Sequence, residues 1–192
     1  SRLPRKVTGA ALEQAKGARR DAAQVLANGG ASTVWLASGS AGGFLCGLAA
    51  ASADTWATEV GTRAGQQPRL VTSGRPVQPG ASGGVTVAGL LASATGALAV
   101  GAAWAIFAGP RGRTVALAAL AGMSGSLLDS LLGATVQAVY RCPHCGRLTE
   151  ASKHASCGVR ATLVRGHALV TNDVVNGLAT TAAAALGGWL GV

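Results

Sequence analysis

Charge is what this chain has least of. Only 12% of its 192 residues are Asp, Glu, Lys or Arg, about half the share of an ordinary soluble domain, so it lacks the means to cover a folded surface for water. Aromatic residues make up only 4%, which leaves no basic surface interleaved with stacking rings and argues against a nucleic-acid partner. The first 23 residues are basic and polar, without the apolar core of a cleavable signal peptide. What is present is apolar and small. Hydrophobic residues reach 49%, there are 29 glycines, and Ala, Gly, Ser and Thr crowd the apolar runs, as suits helices packing closely in lipid. The expected fold class is an all-α integral membrane protein embedded in the lipid bilayer, one domain over residues 1–192.

Four apolar stretches stand out, at about 24–62, 84–108, 114–139 and 168–192. The last three each fit one span of about 20 residues. The first is too long for one, and it contains Gly39-Ser40-Ala41-Gly42-Gly43, a turn between two helices. It is either a single span near 31–52 or a hairpin of spans near 21–38 and 43–62. The Lys and Arg decide. A single span divides the 16 equally between the two sides, whereas a hairpin places 14 on one side and leaves only Arg111 and Arg113 on the other. Cytoplasmic loops carry the Lys/Arg excess. About five transmembrane helices are therefore expected, near 21–38, 43–62, 84–108, 114–139 and 168–192, with residues 140–167 a cytoplasmic loop and the N-terminus inside. The net charge of +9 reads as a topology signal.

The seven acidic residues are Glu13, Asp21, Asp54, Glu59, Asp129, Glu150 and Asp173, and four of them (Asp54, Glu59, Asp129 and Asp173) lie in or at the edge of spans. A carboxylate at mid-bilayer costs about 2.5–3.5 kcal/mol on the mildest scale and usually faces the bundle interior at a functional site; pairing with Arg or capping a helix end is the bland alternative. Gly122, Gly125, Ser126, Asp129, Gly133 and Gln137 fall on one helical stripe, a close-packed face with one carboxylate in it. Asp54 and Glu59, five residues apart, point about 140° away from each other on an ideal helix, so one suits a metal and the other an Arg. Carboxylates and Asn facing cationic loops suit Mg²⁺ with phosphates, and Gly80-Ala81-Ser82-Gly83-Gly84 ahead of a helix offers backbone N–H groups and a helix N-terminus to an anion. Arg19 and Arg20, next to Asp21, are the better phosphate clamps; Arg63, Arg69 and Arg75 read as topology charges. No catalytic triad is evident. Intramembrane carboxylates also suit a small-ion transporter or channel.

Three of the four cysteines lie in the 140–167 loop, as Cys142-Pro-His-Cys145-Gly and His154-Ala-Ser-Cys157-Gly. C-x2-C-x8-H-x2-C supplies the ligand pairs of a small zinc knuckle or ribbon, with glycine after each pair permitting the tight turn. Cys142, Cys145, His154 and Cys157 are the expected ligands of a structural Zn²⁺, with His144 as a substitute for His154. The alternative is a loop with free thiols or a redox pair. Cys46 reads as a small core residue.

Six ordered motifs then carry a resemblance. They are Arg-Arg-Asp-x2-Gln-Val-x-Ala-Asn-Gly-Gly (19–30), Ala-Asp-Thr-Trp-Ala-Thr-Glu-Val-Gly (53–61), Pro-Arg-Leu-Val-Thr-Ser-Gly (68–74), Pro-Gly-Ala-Ser-Gly-Gly-Val-Thr (79–86), Gly-Ser-Leu-Leu-Asp-Ser-Leu-Leu-Gly-Ala-Thr-x-Gln (125–137) and Asn-Asp-x2-Asn (172–176). From about residue 12 onward the chain resembles the integral-membrane phytyl-phosphate kinase family, whose members usually carry further hydrophobic segments ahead of the Arg-Arg-Asp motif. The resemblance implies a kinase using CTP, or another nucleoside triphosphate, to convert a prenyl monophosphate (phytyl or geranylgeranyl) into the diphosphate, with the active face cytoplasmic. Carried over by motif, Asp54, Asp129 and Asp173 would hold Mg²⁺. Glu59 and Arg20 would join them in the catalytic set. Ser82, Gly83, Gly84, Asn28, Asn172, Asn176 and Arg19 would bind substrate.

Overall fold

The computed structural model describes residues 22–109 and 112–191. Five helices dominate it: α1 (Ala22–Ala37), α2 (Ala41–Arg63), α3 (Val87–Ala108), α4 (Gly112–Thr135) and α5 (Asn172–Trp189). The long first apolar stretch is broken in two. Gly39 takes φ +86°, a conformation only glycine adopts freely, and the Ser40 side chain then accepts the Gly43 N–H at 3.1 Å to start α2. Ala41 to Gly43, expected in the turn, already belong to α2.

α2 is the axis of the bundle. It touches all four other helices, while α1, α5, α4 and α3 wrap around it, each touching the next. The packing is the reverse of a water-soluble core. The buried residues of α2 are Leu45 and Cys46 together with Gly42, Gly43, Gly47 and four alanines, and those of α3 and α4 are all Gly, Ala or Ser. Large apolar side chains point outward on every helix, among them Leu26, Trp56, Leu91, Phe107, Leu120, Leu178 and Trp189. Backbones meet closely in consequence. A methyl group added at Gly122 of α4 would lie 2.8 Å from the Ala97 Cβ and 3.0 Å from the carbonyl of Ala49, so three helices converge where no side chain intervenes. Hydroxyls add interhelical hydrogen bonds, among them Ser52 to the Gly96 carbonyl (3.0 Å) and Thr180 to the Ala27 carbonyl (2.9 Å). By length and composition, α3 and α4 are each able to cross a membrane.

Two small sheets lie between helices. β1 (Arg69–Leu70) pairs antiparallel with β2 (Gly84–Val85) in the α2–α3 connection. β3 (Val139–Arg141) is the centre of a three-stranded antiparallel sheet with β4 (Leu148–Thr149) and β5 (Thr162–Arg165). These strands trim the expected helices. α3 starts at Val87, capped by Thr86, instead of near 84. α4 stops at Thr135 instead of 139, because the apolar run that follows it enters β3 and is buried there. α5 starts at Asn172, capped by Thr171, instead of near 168.

Candidate functional site

An antiparallel bundle brings the start of α1, the end of α2, the start of α3, the end of α4 and the start of α5 to one end. A cavity of about 500 Å³ opens there. Its walls carry Asn28 from α1, Asp54 and Glu59 from α2, Asp129 from α4, and Asn172, Asp173 and Asn176 from α5. The connection between α2 and α3 adds Ser82, Gly83 and Gly84. Motifs up to 148 residues apart in the sequence thus share one space, and every sequence-derived catalytic and substrate-binding candidate among the described residues lines it. Arg19 and Arg20 lie outside the described residues.

The electrostatics of this cavity are one-sided. Five carboxylates line it (Asp54, Glu59, Asp129, Glu150 and Asp173) and no Lys or Arg does, among the described residues. Asp129 Oδ2 is buried and has no hydrogen-bond partner among those residues, and both Asp54 and Glu150 lie close enough to repel its charge. Such an arrangement is costly unless a cation compensates it. Glu59 forms an ion pair with Arg63 one turn on, at the exposed rim, and Glu150 interacts with the charge of Arg165. Asp54 and Glu59 both reach the cavity although α2 is regular; the space is wide enough to wrap two faces of the helix.

The glycine loop is built differently from the expectation. Gly84 lies in β2, and α3 begins three residues later, so the helix N-terminus does not follow directly from the glycines. Gly83 adopts φ +80°, and a Cβ there would fall 2.5–2.6 Å from the N, Cα and Cβ of Ala134. That contact seats the loop flat against the end of α4 and is reason enough for glycine.

The cysteine loop folds as two matching knuckles. In the first, Gly146 N–H donates to the Cys142 carbonyl (2.8 Å) and Cys142 N–H to the Arg147 carbonyl (2.9 Å). In the second, Gly158 N–H donates to His154 (2.8 Å) and His154 N–H to Val159 (2.9 Å). Gly146 and Gly158 both take positive φ. The ligand atoms of Cys142, Cys145, His154 and Cys157 all lie within 4.8 Å of one another, a Cys₃His group able to hold a metal such as zinc. His154 is fully buried within it and His144 is exposed, so the fourth member of the group is His154. Two of the thiols sit in contrasting environments. Burial raises Cys142, but hydrogen bonds from the backbone of Cys145 and His144 and from neighbouring thiols outweigh it and hold the group below its ordinary range. Burial, with the adjacent Cys145 and Cys142, pushes Cys157 up to about 11. Cys46 is buried in α2 against Gly187, a packing residue as expected.

Sequence reasoning missed the way this ribbon joins the cavity. Glu150, just past β4, accepts from Ser82 Oγ (2.6 Å) and from Gln137 Nε2 (3.0 Å) on the same Oε1. Arg165, the last residue of β5, donates to the carbonyls of Gly133 (2.7 Å) and Ser82 (3.4 Å). Glu150 is the only acidic residue of the 140–167 loop, and a carboxylate alone among five cations was the available signal.

Residues 2–184 match the family described as Integral membrane protein DUF92. Protein PGR of Arabidopsis thaliana is 42% identical over 107 residues, covering 50% of this chain and 37% of that protein. An uncharacterised membrane protein of Methanocaldococcus jannaschii is 35% identical over 92 residues, covering 48% of this chain and 38% of its own length. The alignments thus span less than two fifths of each of these relatives. No solved structure matches the chain.

Proposed function

This chain belongs to the DUF92 family of integral membrane proteins, and we propose that it is a CTP-dependent kinase that converts a prenyl monophosphate into the diphosphate at the membrane surface. One observation carries the reading: a cavity of about 500 Å³ with five carboxylates and no described Lys or Arg on its walls. Phosphates bound beside these carboxylates would need positive charge alongside them. Asp54, Asp129 and Asp173 are the residues that would hold Mg²⁺, and the buried, unpartnered Asp129 Oδ2 fits a cation. Mg²⁺ bound there would neutralise phosphate charge.

Phosphoryl transfer asks the protein for positioning and electrostatics more than for a special nucleophile. An oxygen of the prenyl monophosphate attacks the γ-phosphorus of CTP, the bond to the β-phosphate oxygen breaks, and CDP leaves. The acceptor is already anionic, so no general base is required. Asn28, Asn172 and Asn176 supply neutral amides to ribose or phosphate, Ser82 and the Gly83–Gly84 backbone border the phosphates, and Arg20 and Arg19 offer positive charge. The outward apolar side chains on all five helices support five membrane spans, with the prenyl tail lying in lipid beside them and the cavity facing the cytoplasm. Zn²⁺ in the Cys₃His group would have a structural role, since its four ligands leave no open position.

The test is direct. Purified protein with Mg²⁺, γ-labelled CTP and phytyl or geranylgeranyl monophosphate should yield labelled prenyl diphosphate, and Asp129→Asn should lower the yield by roughly 100-fold or more. Absence of product, or undiminished product from the variant, refutes the assignment; cation flux into proteoliposomes without nucleotide would favour a transporter instead.

A further inference from the structure

The transfer chemistry makes no use of three cysteines and a histidine, yet the ribbon they form closes one wall of the cavity. Glu150, Ala151 and Ser152 all line it, and they lie in the short stretch between the two knuckles. A metal joining Cys142 and Cys145 to His154 and Cys157 would tie down both ends of that stretch at once. From it, Glu150 Oε1 takes the Ser82 hydroxyl at 2.6 Å and the buried Gln137 amide at 3.0 Å. From the strand that follows, Arg165 Nη2 reaches the Ser82 carbonyl and, at 2.7 Å, that of Gly133. Ser82 is therefore gripped at its side chain and its backbone, both times by the ribbon. Among the described residues the loop is otherwise held by its pairing with β1, by the Val71 N–H donating to the Gly83 carbonyl, and by Gly83 resting on Ala134 of α4.

We propose that a zinc ion held by Cys142, Cys145, His154 and Cys157 is the fastener of the cavity wall. It seats Glu150 and Arg165 on Ser82, and its loss releases the Gly80–Gly84 loop. Glu150 is in this scheme a positioning residue, acting through Ser82. The inference rests on the ligand group and these contacts and needs no assumption about the reaction, so its test contains neither nucleotide nor prenyl substrate.

The purified full chain should carry about one zinc per molecule by elemental analysis; a protein that holds none, and takes up none after chelation, overturns the proposal. Hydrogen–deuterium exchange then reads the wall. Zinc removal by a strong chelator, or Cys157→Ser, should speed exchange of peptides covering 80–84 and 148–152 by about tenfold, the scale of a lost hydrogen bond to a charged group. Peptides from the middle of α3 and α4 should not change, and zinc returned to the wild type should restore protection. Metal loss without faster loop exchange overturns the proposal, and so does acceleration along the whole chain. Two variants keep the zinc and separate the contact from general stability. Glu150→Ala should free the 80–84 loop. Glu150→Gln, whose carbonyl oxygen can still accept both bonds, should stay within about threefold of wild type. Equal release by the two variants sinks the latch.

Discussion

Gly83 offers a sharp test of whether the loop glycines serve the fold or only a ligand. Gly83→Ala adds a Cβ at φ +80°, 2.5 Å from the Cβ of Ala134 and 2.6 Å from its Cα and N. Two of those three atoms are helix backbone and cannot swing aside. The left-handed conformation costs an alanine about 1–2 kcal/mol, and forcing an extra carbon into a packed contact costs about 1–3 kcal/mol more. Gly74 is the internal control: its φ is +66° and an added Cβ meets nothing within 4 Å, so Gly74→Ala carries only the first cost. The two variants should differ by about 1–3 kcal/mol, roughly 2–12 °C in melting midpoint for a chain of this size. Intrinsic fluorescence of the four tryptophans in detergent, without ligand, reports that midpoint. If the loop detaches locally before the bundle melts, the same cost appears as faster amide exchange at 80–84. If Gly83→Ala and Gly74→Ala match in both measurements, the packing argument is wrong and Gly83 is needed for ligand approach alone.

Asp129→Asn should act with opposite signs in two states: without divalent cation it relieves repulsion from Asp54 and Glu150 and raises stability on the order of 1 kcal/mol, whereas Mg²⁺ affinity falls by about 10–100-fold; thermal shift with and without MgCl₂ reads both, and equal stabilisation of both proteins by Mg²⁺ would remove Asp129 from the cation site. Thr180→Val deletes the hydroxyl that bonds the Ala27 carbonyl and should cost only about 0.6 kcal/mol in denaturant titration; a loss above about 3 kcal/mol would mean that the α1–α5 contact depends on it far more than the packing implies. Ala97→Leu fills a fully buried position and should destabilise by about 1–3 kcal/mol, while Leu91→Ala on the outer face should be close to neutral in detergent; the reverse order would contradict small-residue packing.

Much of this was legible because the signals were local. Gly39 and Ser40 mark the helix break in plain sequence, and the charge count chose the same hairpin. The knuckle spacing with its two glycines led directly to the four side chains that cluster there, Cys142, Cys145, His154 and Cys157. Alternation of helix direction then carried Asp54, Asp129 and Asn172 to one end without knowledge of any contact. Where reading failed, apolarity was ambiguous. Val136 to Tyr140 continues the hydrophobic run of α4, but Ala138, Val139 and Tyr140 are buried in the structure around β3, and burial by protein looks the same in sequence as burial by lipid. The strands at Arg69–Leu70 and Gly84–Val85 are two residues long, too short to show a period of two. The contacts of Glu150 and Arg165 were not legible because their partners, Ser82, Gln137 and Gly133, belong to segments whose proximity only the fold creates.

The central place of α2 has a consequence for biogenesis. A ribosome makes α2 before three of the four helices that surround it. When its polar end, with Asp54 and Glu59, is made, α3, α4 and α5 have yet to follow. The carboxylates of α4 and α5, Asp129 and Asp173, arrive in turn. The described walls of the cavity are therefore complete only once α5 has been made and has packed against α2 and α4.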